Sequence, residues 1–133
     1  MGKPNLILVA DDDKDFLEIL SAKLLGSGYE VAEAHDGREA VDKAKSLGPA
    51  LIVMDIKMPG TNGTEAVLEL RADPSMKDTK IVFFSNLVYP WPGIKGENAD
   101  FAAELGAVTF LKKSDDLETI INKIKELAPL SPA

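Results

Sequence analysis

The strongest constraint on the fold is a set of five short apolar runs, four of which lack the polar alternation of a surface strand. Runs of this kind are typical of parallel strands that are buried on both faces of a sheet. Glu30 and Glu33 interrupt the second run, which therefore predicts a partly exposed strand. The five runs cover residues 6–10, 29–34, 51–54, 81–84 and 108–111.

Helical patterns separate these runs. The first helix follows Asp13, a predicted N-cap, and Gly26 or Gly28 ends it. Asp36 caps the second helix in the same way. The apolar stripe of the first helix consists of Phe16, Leu17, Leu20 and Leu24, and the other helices are predicted at about residues 37–47, 64–72, 98–105 and 117–127.

The last helix is predicted to follow a cap-like Ser114, with Asp115 and Asp116 in an acidic first turn. The order is then strand followed by helix, five times. Such alternation predicts an α/β fold in which a doubly wound, five-stranded parallel sheet carries helices on both faces. Sheets of this type bind ligands at the carboxyl ends of their strands, beside the reversal in strand order.

Composition limits the chemistry of the chain. Its 133 residues predict one domain over residues 1–127, with residues 128–133 as a tail or the start of a linker. The sequence has no Cys and one His, which excludes disulfides, thiolate catalysis and Cys- or His-based metal clusters, so a metal must be hard and oxygen-bound. A net charge of −7 argues against direct nucleic-acid binding. No apolar stretch approaches the roughly 20 residues of a membrane helix, and we expect a cytoplasmic protein without membrane contact.

Polar residues follow the predicted strands at the edge where ligands bind. Carboxylates that converge there repel one another unless a divalent cation joins them, and Mg²⁺ prefers oxygen ligands. A carboxylate can also act as a nucleophile and form an aspartyl-phosphate, whose oxygens a metal, a lysine and a hydroxyl would neutralise and orient. The residues are Asp11, Asp12 and Asp13 after the first strand, Asp55 after the third, Ser85 after the fourth and Lys113 after the fifth.

Taken singly, these residues have simpler interpretations. Asp55 could form the turn before Pro59, Ser85 could bond to backbone at a strand end, and Lys113 could be a solvated side chain. The three consecutive acids could cap the first helix, although one acid suffices for that. Their joint placement favours a site.

Four motifs in order make the chain similar to the receiver domain of two-component response regulators. The resemblance covers about residues 5–127 and implies a flavodoxin-like fold of the chemotaxis-Y type. It also implies that Asp55 accepts a phosphoryl group from a histidine kinase or a histidine phosphotransfer protein. The motifs are LILVADDD from Leu6, LIVMDIKMPGTNG from Leu51, FS at Phe84 and GAVTFLKK from Gly106.

The resemblance further implies a role for each matching residue. Asp11, Asp12 and Asp55 would bind Mg²⁺ together with the backbone carbonyl of Lys57, and Asp13 would cap the first helix. Ser85 would be the switch hydroxyl, Phe110 the switch aromatic and Lys113 the family's lysine. Phosphorylation would remodel the face made by the fourth and fifth predicted helices and the fifth strand, where an effector or a second copy docks.

The chain departs from the family pattern at several positions. Ser114 replaces the usual proline, which leaves the Lys113–Ser114 peptide geometry open, and Asn86 replaces a smaller residue. Residues 86–98 form a longer connection that contains Trp91, a residue that could contact a partner or fold back on the fourth helix.

The sequence argues against two other functions. A phosphatase needs a second acid two residues after the nucleophile, where Lys57 stands, so we expect no enzyme beyond self-phosphorylation and self-dephosphorylation. A dinucleotide module needs a glycine-rich loop after the first strand, where this chain has acids. The remaining alternative is a receiver-like module that binds proteins without phosphorylation.

Overall fold

A computed structural model describes residues 3–85, 109–113 and 115–131. These residues form five strands, four α-helices and one 3₁₀ helix. The strands are β1 (Lys3–Ala10), β2 (Glu30–Ala34), β3 (Pro49–Asp55), β4 (Lys80–Ser85) and β5 (Thr109–Lys112). The helices are α1 (Lys14–Gly26), α2 (Gly37–Leu47), α3 (Gly63–Ala72) and α4 (Leu117–Leu127), and the 3₁₀ helix covers Pro74–Met76.

The strands form one parallel sheet in the order β2-β1-β3-β4-β5. The order reverses between β1 and β3, because the chain first moves to one edge and then crosses back to build the other half. The predicted parallel sheet is therefore confirmed. The second strand is partly exposed, as its two glutamates indicated, and it lies at an edge of the sheet.

Buried side chains alternate between the two faces of the sheet and form a core on each. Leu8, Ile52 and Phe83 pack on the face that α2 and α3 cover. Their sequence neighbours, such as Ile7, Val53 and Phe84, pack on the face that α1 and α4 cover. Helices on both faces confirm the doubly wound architecture.

Local side-chain caps fix where the helices begin. The carboxylate of Asp13 accepts the N–H groups of Asp15 and Phe16, and that of Asp36 accepts the N–H of Glu39, which confirms both predicted caps. α1 ends at Gly26, and the left-handed backbone of the turn falls on Gly28, at φ +103°.

The start of the last helix differs from the prediction. Ser114 is not the cap of α4; the carboxylate of Asp116 accepts the N–H of Thr119 at 2.8 Å, and Glu118 is the acid of the first turn. An N-cap side chain must reach an N–H two or three residues ahead, and Asp116 is the last extended residue before the helix. The cap therefore falls two residues later than expected.

Several predicted features lie outside the described residues. They are the fourth helix at 98–105, the connection 86–98 with Asn86 and Trp91, and Ser114 with its peptide bond. None of the helices within the described ranges is long and apolar enough to cross a membrane.

Candidate functional site

The fold brings four of the predicted polar positions to the carboxyl edge of the sheet. Asp11 follows β1, Asp55 ends β3, Ser85 ends β4 and Lys113 follows β5. β1 and β3 are neighbours, and Ala10 pairs with Met54, so Asp11 and Asp55 lie side by side at the strand reversal. Strand order and register, rather than distance along the sequence, create this cluster.

Three carboxylates form an acidic group at this edge. Asp11, Asp12 and Asp55 each offer an oxygen, and these atoms all lie within 4.8 Å of one another. Asp11 and Asp55 are buried, whereas Asp12 is exposed, so the group opens to solvent on the Asp12 side. An oxygen-only donor set with one open side is chemically suited to a hard divalent cation.

Lys113 contacts the two buried carboxylates of the acidic group. Its Nζ lies 2.5 Å from Oδ2 of Asp11 and 3.4 Å from Oδ2 of Asp55, and its side chain is only 6% exposed. Its backbone N–H donates to the carbonyl oxygen of Ser85 at 3.0 Å, which attaches the lysine to the end of β4. The neighbouring Lys112 is exposed.

The two buried carboxylates have different surroundings. Oδ1 of Asp11 accepts the N–H of Asp13 at 2.9 Å. Oδ2 of Asp11 forms an ion pair with the Lys113 ammonium at 2.5 Å. Asp11 is therefore held by a backbone donor on one oxygen and by an ammonium on the other.

Burial perturbs the ionisation of Asp55. Its pKa is raised to about 7, chiefly because burial disfavours the charged form and secondly because the charge of Asp11 is close. The ammonium of Lys113 opposes this shift. In the absence of a cation, the Asp55 carboxyl group is therefore divided between its neutral and charged forms near neutral pH.

The other predicted residues occupy distinct positions. Ser85 is buried at the end of β4, and Phe110, on β5, is half-buried against the core beneath α2 and α3. Lys57 is exposed in the connection from β3 to α3. Asp13 caps α1, as the resemblance implied.

Two residues near the site were not identified from the sequence. The sequence pattern places Phe16 in the apolar stripe of α1, and in the structure its ring centroid lies 5.0 Å from Nζ of Lys113 and 5.2 Å from the ring centroid of Phe84. The sequence signal was its place three residues after the capping Asp13.

Gly63 is the second such residue. A Cβ atom here would lie 2.0 Å from the carbonyl oxygen of Asp55, and the Gly63 N–H donates to the carbonyl oxygen of Ile56 at 2.8 Å. Only glycine permits α3 to start this close to the end of β3. The signal available in the sequence was the glycine that ends the motif at residues 51–63.

The sequence of this chain matches a known protein family. A family model described as "Response regulator receiver domain" matches residues 7–125. The chemotaxis protein CheY of Thermotoga maritima is 45% identical over 80 residues, which cover 58% of this chain and 64% of that protein. The chain thus spans somewhat less than two thirds of that relative.

Solved structures share the architecture over nearly the whole chain. The chemotaxis response regulator CheY4 of Vibrio cholerae superposes with a TM-score of 0.81 at 28% identity and covers 94% of this chain and 99% of its own. The response regulator TrrA of Thermotoga maritima, solved in complex with Mg²⁺-BeF, gives a TM-score of 0.77 at 30% identity. The match covers 92% of this chain and 98% of TrrA.

Proposed function

The chain belongs to the response regulator receiver domain family, and from this premise we propose that it is a phosphorylation-activated signalling switch with Asp55 as phosphoacceptor. The phosphoryl donor is a histidine kinase or a histidine phosphotransfer protein. The observation that carries the proposal is the cluster at the carboxyl edge, in which Asp55 lies beside Asp11 and within 3.4 Å of the Lys113 ammonium.

Phosphoryl transfer requires a charged Asp55. A carboxylate oxygen of Asp55 attacks phosphorus, the phosphorus–nitrogen bond of the phosphohistidine breaks, and the electron pair remains on the imidazole. Lys113 favours the charged carboxylate, because its ammonium opposes the raised pKa of Asp55. The same ammonium is placed to neutralise oxygens of the phosphoryl group.

The acidic group fits Mg²⁺ as a cofactor. Asp11, Asp12 and Asp55, with the backbone carbonyl of Lys57, would hold the ion, which when bound neutralises the carboxylates and the phosphoryl oxygens. The fit rests on the oxygen-only donor set, on the closeness of the three carboxylates and on the exposure of Asp12 to solvent.

The output is a change of surface rather than turnover of a substrate. Ser85 would move toward the phosphoryl group and Phe110 would rotate inward, which would remodel the face formed by the predicted fourth helix, β5 and α4. The Lys113 N–H bond to the Ser85 carbonyl supports such coupling, since it joins the end of β4 to the end of β5. An effector or a second copy would dock on this face.

Intact-mass measurement after incubation with acetyl phosphate tests the proposal. We expect one Mg²⁺-dependent phosphoryl adduct on the wild type and none on Asp55→Asn. Asp78→Asn is the matched control, because it makes the same chemical change at an exposed position before β4 and should retain the adduct. No adduct on the wild type would overturn the proposal and favour a module that binds proteins without phosphorylation.

A further inference from the structure

The aromatic ring of Phe16 lies beside the Lys113 ammonium. The Nζ atom lies over the Phe16 ring at 5.0 Å from its centroid, within the range of a cation–π interaction. The ring also packs against Phe84 at a centroid distance of 5.2 Å and an interplanar angle of 43°. Phe84 directly precedes Ser85, so Phe16 touches two elements of the site at once.

The local structure fixes this ring in place. Asp13 caps α1 and accepts the N–H of Phe16 at 3.2 Å, which sets the first helical turn immediately after the acids that follow β1. α1 covers the face of the sheet on which Phe84 lies, so the first apolar residue of the helix reaches the end of β4. The position of Phe16 therefore follows from the same cap that orders the acidic loop.

The environment of Lys113 explains why an aromatic ring beside its ammonium affects the position of that group. A lysine side chain is a flexible four-carbon stem with a point charge and no preferred direction for its donors. Its ammonium here is closer to Asp11 than to Asp55 and is almost fully removed from solvent. An aromatic face next to it attracts the charge and excludes water, and such interactions are stronger when the cation is desolvated.

We propose that Phe16 is a positioning residue that holds the Lys113 ammonium at the Asp11–Asp55 edge and thereby supports phosphorylation of Asp55. The second part of this inference rests on the proposed function. A ring face is a non-directional partner, so the ammonium can stay in contact with Phe16 when it moves from Asp11 toward phosphoryl oxygens. A purely structural Phe16 would need only its contact with Phe84.

The substitutions Phe16→Met and Phe16→Tyr separate these two roles. Methionine fills a similar volume and packs well against Phe84 but lacks the ring that attracts a cation, whereas tyrosine retains the ring. Leu20→Met is the control, because it adds the same side chain to the same helix at a buried position within the same core.

The first readout is the rate of phosphorylation by acetyl phosphate at saturating Mg²⁺. In this reaction Asp55 oxygen attacks phosphorus and acetate leaves with the bonding pair. We expect Phe16→Met to be about three- to tenfold slower than the wild type, which is within the range for the loss of one cation–π contact. Phe16→Tyr and Leu20→Met should stay within about twofold of the wild type. Equal rates for wild type and Phe16→Met, or a Phe16→Tyr variant as slow as Phe16→Met, would overturn the proposal.

The second readout uses the unphosphorylated protein and does not depend on the proposed function. The ε-methylene protons of Lys113 should be shifted upfield by the ring current in the wild type and Phe16→Tyr, and should return to ordinary lysine values in Phe16→Met. An unshifted Lys113 in the wild type would refute the positioning role. If the wild type accepts no phosphoryl group but these shifts are as expected, the proposed function fails while the positioning of Lys113 by Phe16 stands.

Discussion

At the scale of single residues, the ionisation of Asp55 reflects a conflict between folding and the role proposed for this residue. Burial and the nearby Asp11 raise its pKa to about 7, while the proposed nucleophilic attack needs the charged form. Lys113 lies close enough to both acids to reduce this conflict, and a bound cation would reduce it further. Burial of the charged carboxylate therefore carries an energetic cost, which Lys113 offsets in part.

This conflict predicts a pH-dependent stability. Because the folded pKa of Asp55, about 7, exceeds its ordinary value of 3.8, folding favours the neutral acid. Its stabilising contribution is complete below about pH 4 and is lost as the pH rises through about 7. Relative to Asp55→Asn, which stays neutral, the wild type should lose about 3 kcal/mol of unfolding free energy over this range.

Urea unfolding of both proteins with a chelator present, at a series of pH values, measures this difference. Asp78→Asn should run parallel to the wild type, since it leaves Asp55 unchanged. A raised pKa for Asp55 would be contradicted if the difference in unfolding free energy between the wild type and Asp55→Asn stayed constant from about pH 4 to about pH 8.

At the scale of elements, the close approach of β3 and α3 orders the loop that carries Lys57. Gly63 is the first residue of α3, and its backbone packs against the Asp55 carbonyl. Asn62 caps the same helix, and its side chain and that of Glu65 exchange hydrogen bonds with each other's backbone N–H groups. The loop is thus fixed at both ends within nine residues of chain.

Gly63→Ala should disturb this junction. The new Cβ would lie 2.0 Å from the Asp55 carbonyl oxygen, so the backbone must move, and we expect a loss of about 1–3 kcal/mol in unfolding free energy with slower phosphorylation. The control is Gly26→Ala at the end of α1, where no atom lies within 4 Å of the added Cβ and φ is not positive. Equal stability of the two variants in urea unfolding would contradict the close approach.

At the scale of the whole molecule, the segment after α4 packs against the amino ends of the strands, opposite the site. The side chain of Asn5 exchanges two hydrogen bonds with the backbone of Ser131. The hydroxyl of Tyr29 donates to the carbonyl oxygen of Ala128 at 2.6 Å in a buried position. Residues 128–131, expected to be a tail or the start of a linker, are therefore joined to the sheet.

Tyr29→Phe tests whether this attachment stabilises the fold. The change leaves the buried Ala128 carbonyl without its donor, so we expect a loss of about 1–2 kcal/mol in unfolding free energy. Phosphorylation by acetyl phosphate should be unchanged, because Tyr29 lies at the opposite edge of the sheet. Unaltered stability in urea unfolding, or a slower phosphorylation rate at unaltered stability, would contradict this account.

The sequence by itself predicted the features that depend on near neighbours along the chain. Strands and most helices follow from periodicity and caps, as at Asp13 and Asp36, because a few consecutive residues decide each of them. The alternation of elements then determined the sheet type. Placing the acids, Ser85 and Lys113 at strand ends was also sufficient to predict that they converge, since parallel strands share one carboxyl edge.

Only the tertiary structure decided which groups touch. The choice of Asp116 over Ser114 as cap depends on where the backbone leaves β5 and turns into α4. Three contacts join residues that are far apart in sequence. They are the ion pair of Lys113 with Asp11, the contact of the Lys113 ammonium with the Phe16 ring, and the hydrogen bonds of Asn5 with Ser131. Such contacts depend on which strands pair and on how side chains pack, and patterns of near neighbours along the chain do not specify either.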